Sequence, residues 1–121
     1  MNNILLSYAE VDKADAVLAT KTPQTLTAED LRYIVQAFEK ALSFAELVSD
    51  GILEKVHPEM KTQFRQNYQP GIRRMLHGFK HGDQSIAREG ASLYQAYGAW
   101  VFSHAHELSF PDQTTGESLV R

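Results

Sequence analysis

Apolar residues recur along the chain at alternating three- and four-residue steps, the period of a helix with one buried face. The longest series is Leu31, Val35, Phe38, Leu42, Ala45, Ile52 and Val56, with Ser49 as its one polar member. Thr27-Ala28-Glu29-Asp30 precedes it. A threonine hydroxyl can accept from an orphan backbone amide there, and the two acids complement the positive helix end. The series predicts one helix over 28–56. Asp50-Gly51 is the place where it would bend, since an interior glycine costs about 1 kcal/mol relative to alanine. Pro58 suits the first turn of the next helix, where its missing amide would have been unpaired. Met60 and Phe64 supply a short apolar edge, and Gln69-Pro70-Gly71 interrupts again.

Beyond that interruption Ile72, Met75, Leu76 and Phe79 form a narrow stripe, opposed by Arg73, Arg74, His77, Lys80 and His81. His81-Gly82-Asp83 offers a stop and a fresh N-cap. The last helix is expected from about Gln84 to about Leu108, with Ile86, Gly90, Leu93, Tyr97, Trp100 and His104 on its stripe. Ala87, Gly90, Ala91 and Gly98 would let a neighbouring helix come close. A shorter helix over Tyr8 to Ala19, with Val11, Ala14, Val17 and Leu18 inward, precedes the loop Thr20 to Thr25. No alternating run suggests a strand. The expected fold is all-α, a compact bundle of four or five mostly antiparallel helices over residues 1–108, followed by a flexible tail over 109–121.

Composition narrows the chemistry. The chain has 121 residues, enough for one core, and no cysteine, which removes disulfides, thiolate metal sites and cysteine nucleophiles. Its first residues lack a basic leader, and its longest apolar run, Ala99 to Phe102, is far below the roughly 18 residues a membrane span needs. A cytoplasmic location without membrane association is expected.

The net charge of −3 is unevenly placed. Between His57 and Arg88 the cations Lys61, Arg65, Arg73, Arg74, Lys80 and Arg88 face only Glu59 and Asp83, while the rest of the chain is acidic. Such a window suits an acidic protein partner. Phe64, Tyr68 and Phe79 interleave with the cations, so nucleic acid is a secondary reading. Tyr94, Tyr97, Trp100 and Phe102 wrap too far around the last helix for one buried face, and part of this group suits a partner or a second copy of the chain in a homodimer. No phosphate loop, dinucleotide fingerprint, nucleophile elbow or calcium loop is present, and no cofactor is expected. The leading expectation is a non-catalytic helical protein-interaction module, such as an adaptor, inhibitor, immunity factor or assembly chaperone. It would bind its partner through Arg73, Arg74, His77, Lys80, His81, Arg88, Tyr94 and Trp100.

The five histidines give the alternative. His77 and His81 stand one turn apart on the polar side of their helix, a spacing that lets two imidazoles share a metal, with His104, Glu59 or Asp83 as a third ligand. Gly78 stands where the zinc-protease helix carries a glutamate. His104 shares the apolar stripe of Trp100 and Tyr97 and reads as a buried histidine holding one hydrogen bond. Arg74 and His81, with six residues between them, resemble the arginine-to-histidine motif of the HEPN ribonuclease superfamily. That resemblance implies phosphodiester cleavage at a dimer cleft, with Arg74 and His81 catalytic. Met75 takes the place of the polar residue that usually follows the arginine.

Overall fold

A computed structural model of the protein describes residues 2–22 and 24–110. It is an all-α bundle: α1 (Asn3–Thr20), α2 (Ala28–Glu46), α3 (Asp50–Val56), α4 (Met60–Gln63), α5 (Gln69–His81) and α6 (Gln84–Ser103). A π turn over Phe64–Tyr68 fuses α4 and α5 into one continuous helix, and a 3-10 turn, Ala105–Glu107, follows α6. The described residues therefore form five helical rods and contain no strand. Pro23 and residues 111–121, which make up most of the expected tail, lie outside the described residues. Ser109 and Phe110 at its start are held, Ser109 by a bond from its amide to the Val56 carbonyl and Phe110 by packing edge-on against Tyr8.

Several boundaries differ from the sequence reading, each for a local reason. The helix expected over 28–56 is two helices, and it breaks at Leu47–Ser49 rather than at Gly51. Ser49 takes an extended conformation and caps α3 by accepting from the Ile52 amide, while the Val48 carbonyl accepts from Arg65 at 2.6 Å. Helix α1 starts five residues early because the Asn2 side chain accepts from the Leu5 amide at 2.8 Å. Its buried positions Ile4, Ser7, Val11 and Ala14 keep helical spacing, but Ser7 disguises the series. Pro58 lies in the turn before α4 instead of inside it. The Gln69-Pro70-Gly71 interruption is absorbed: the Gln69 amide reaches back five residues to the Phe64 carbonyl, and the widened turn leads into a helix with proline in its first turn, where no amide is missed. The last helix ends at Ser103, five residues short.

The bundle runs up, down, up, down. Ser7 meets Ala41 across α1 and α2, Arg73 and Lys80 meet Glu46 and Glu39 across α5 and α2, and Gly71 and Gly78 meet Gly90 and Ala87 across α5 and α6. Ile4, Ile34, Phe38, Leu53, Met60, Phe64, Tyr68 and Ile72 are fully buried. The observed centre of the α2 face is Ile34, Phe38, Ala41 and Ala45, with Leu31, Val35 and Leu42 at its edges. Each such fully buried large apolar side chain contributes about 1.5–3 kcal/mol, whereas an exposed ion pair gives about 0–1 kcal/mol, so the core holds the bundle together.

The buried hydroxyls of Ser7, Tyr68 and Tyr97 are satisfied in that core, whereas the indole nitrogen of Trp100 beside it is buried without a partner among the described residues. The single Ser7 hydroxyl proton goes to the Ala41 carbonyl at 2.7 Å, so Tyr68 donates to Ser7 at 2.8 Å. Tyr97 donates to the Met60 sulfur at 3.7 Å, and Tyr8 bonds to the Tyr97 hydroxyl.

The α5–α6 crossing needs glycine. Gly82 alone among the described residues has positive φ, 69°, which ends α5, and Asp83 then caps α6 by accepting from the Ile86 amide. A β-carbon on Gly90 would stand 2.5 Å from the Gly71 carbonyl oxygen and 2.6 Å from the Met75 amide nitrogen, both backbone atoms. A β-carbon on Gly98, on the same helix, would meet nothing within 4 Å. Gly90→Ala is therefore expected to destabilise by about 3 kcal/mol or more, whereas Gly98→Ala should stabilise by about 0.4–1 kcal/mol. Denaturant unfolding of the two variants checks this, and similar shifts of the same sign would contradict it.

Candidate binding cleft

The cations of the 57–88 window do not form one open basic face. Lys61 and Arg65 turn to Asp50, at 3.7 and 3.1 Å, and Arg65 also bonds Gln69 and the Val48 carbonyl, which makes it a tie between the α2–α3 turn and the π turn. Arg73 reaches Glu46 at 4.0 Å, Arg74 reaches Glu89 at 3.6 Å and Lys80 reaches Glu39 at 3.8 Å. These are loose surface pairs whose chief effect is to cancel positive field rather than to stabilise. Arg88 is the exception. Among the described residues no carboxylate lies within ion-pair distance of it.

The histidines fall into two groups. His77 and His81 lie side by side on the exposed face of α5, ring centres 4.5 Å apart. Arg74, one turn before His77, is paired with Glu89 instead of meeting His81 through a third polar group. The other group closes the far end of the bundle. His57 Nδ1 accepts from the Glu59 amide at 3.0 Å, so its Nε2 hydrogen points to Glu107, also at 3.0 Å, and that bond holds the Glu107 carboxyl below its ordinary range. His104 Nδ1 donates to the Trp100 carbonyl at 2.8 Å, its ring stacks on Trp100, and His57 meets Trp100 edge-on. Trp100 is thus half-buried against histidines, and Phe102, 85% exposed, is the aromatic of this group that faces outward. Among the described residues no group of three or more histidine, aspartate or glutamate side chains is arranged to hold a metal, and no helix is long and apolar enough to cross a membrane.

A mainly apolar concavity lies elsewhere. α1 packs on α2, α2 on α5 and α5 on α6, but α6 meets α1 mainly through long side chains such as Tyr97 and Tyr8. Above those tyrosines the seam opens into a cleft of about 650 Å³, within the roughly 300–1,000 Å³ typical of ligand sites. Gly78, Ala87 and Ala91 form its floor, because small residues at the α5–α6 crossing leave no bulk to fill the space. Leu18, Leu26, Leu31, Met75 and Phe79 supply apolar walls, and Asp15, Lys21, Gln84, Arg88, Tyr94 and Gln95 the polar rim. Lys21 is engaged by Asp30 at 2.9 Å.

Of the residues singled out from the sequence, the cleft therefore gathers Arg88 and Tyr94, and leaves Arg73, Arg74, His77, Lys80, His81 and Trp100 outside. Asp15, Leu26 and Ala91 were missed as binding residues. The available signal was the small set Gly78, Ala87 and Ala91, which marks a place where two helices meet without filling the volume beside them. No protein-family model matches the chain, and no curated protein or solved structure matches it.

Partial burial, with Asp12 one turn away, pushes the Asp15 carboxyl above its ordinary value, and burial together with Asp15 pushes the Tyr94 hydroxyl up to about 12. A raised carboxyl binds its proton more tightly in the folded state, so its contribution to stability is most favourable below the ordinary aspartate range. That contribution declines as pH rises through the raised value. Asp15→Asn removes this decline. Its melting temperature is expected to gain on the unsubstituted chain as pH rises from the acid range to neutrality, and a pH-independent difference would contradict the assignment.

Proposed function

We propose that this chain is a small non-catalytic binding module that takes an apolar group of its partner into the cleft between α1, α5 and α6. The observation that carries this reading is the cleft itself, a mainly apolar concavity of about 650 Å³ whose charged lining residues Asp15, Lys21 and Arg88 are exposed. Burying apolar surface supplies the drive, and a few edge groups set orientation. The wider basic surface supports the role less well, because Arg73, Arg74 and Lys80 are engaged by carboxylates of the same chain. A histidine-dependent nuclease or metal site at Arg74, His77 and His81 gains no support from their surroundings, since Arg74 is turned to Glu89 and the two imidazoles face outward.

Titration with an uncharged aromatic alcohol, naphthalenemethanol, followed by amide chemical shifts tests the reading. Saturable shifts are expected at Leu26, Phe79, Ala91 and Tyr94. Ala91→Trp, which fills the floor, should abolish them while cooperative thermal unfolding is retained. Shifts that fail to saturate, or that gather on another face, would overturn the proposal.

A further inference from the structure

The edge of the cleft carries a charge asymmetry that points to the chemistry of its occupant. Five of the six cations between His57 and Arg88 are engaged by carboxylates of the chain, and the sixth, Arg88, lines the cleft. A guanidinium stays charged at all physiological pH and presents a planar fork of donors that matches a carboxylate. Beside it run the apolar walls formed by Leu18, Leu26, Leu31, Met75 and Phe79. We infer that the cleft binds a carboxylate-bearing amphiphile: a small molecule with an alkyl or aromatic body, its acid paired with Arg88. This inference rests on the binding-module reading above and adds the chemical class of the ligand.

The other charged groups at the cleft agree with this orientation. Lys21 is occupied by Asp30, which leaves Arg88 as the available cation. Asp15 stands beside Tyr94, and Tyr94 is six residues beyond Arg88 along α6, about 9 Å by helical rise. A carboxylate is repelled at the Asp15 end and attracted at the Arg88 end, so the ligand's acid and body are placed in one direction. The Tyr94 hydroxyl, raised to about 12, remains neutral and adds no charge.

The test compares decanoate, decanol and decylamine, each below its aggregation concentration, by calorimetric titration of the full chain and of Arg88→Gln. Decanoate is expected to bind about tenfold more tightly than decanol, a typical gain for one charge-assisted contact at a partly exposed site. Arg88→Gln should erase that preference while leaving thermal stability unchanged, because Arg88 is exposed and has no partner among the described residues. Decylamine binding as tightly as decanoate, or a decanoate preference that survives Arg88→Gln, would overturn the inference while leaving the cleft as a binding site. Failure of all three compounds to bind would instead defeat the binding-module reading together with it.

Discussion

Where α6 crosses α5, Gly90 lies so close to the Gly71 carbonyl and the Met75 amide that a single methyl group would stand 2.5 Å from the oxygen. The same closeness repeats two turns beyond Gly71 on α5, where a β-carbon on Gly78 would meet the Ala87 side chain and amide at 2.6 Å. Two backbones in contact leave no layer of side chains between them, and the two-residue link Gly82-Asp83 then fixes them as an antiparallel hairpin. The rest of the bundle is arranged around this rigid pair. α2 docks against α5, α1 docks against α2, and the fourth side, from α6 back to α1, is closed by tyrosines at one end and left open at the other.

The tyrosines explain why one end closes. Tyr8, Tyr68, Tyr94 and Tyr97 have reach enough to bridge two helices that are not in backbone contact, and rings contribute both area and edge-to-face geometry. Burial pushes all four hydroxyls up, so none ionises near neutrality, and Ser7 and Met60 supply partners for the buried hydroxyls of Tyr68 and Tyr97. At the other end the facing residues are Leu18, Ala87 and Ala91, too short to meet. The cleft is the direct result of that change from long to short side chains along one seam.

Much of the fold was legible in the sequence. The 3.6-residue period, the Thr27 N-cap and the His81-Gly82-Asp83 stop each act within one or two turns, and the structure bears them out. What the periodicity could not resolve was decided by contacts from afar. Arg65 takes the Val48 carbonyl and so helps end α2, seventeen positions away in sequence, and the π turn lets the chain pass Pro70 without a break. The site was less legible still. Charge along the chain suggested a basic face, but sequence carries no information on the carboxylates that α2 and α6 present to Arg73, Arg74 and Lys80. The apolar cleft draws on four segments, and a residue such as Leu26 reads in isolation as an ordinary loop leucine.

The central claim is that α5 and α6 touch backbone to backbone and thereby set the floor of the cleft. Nuclear Overhauser measurements on the unliganded chain in solution test it most directly. The account predicts strong cross-peaks between the α-protons of Gly71 and Gly90, and between the α-protons of Gly78 and the Ala87 methyl. Absence of both, with the two helices held apart by a layer of side chains, would contradict it.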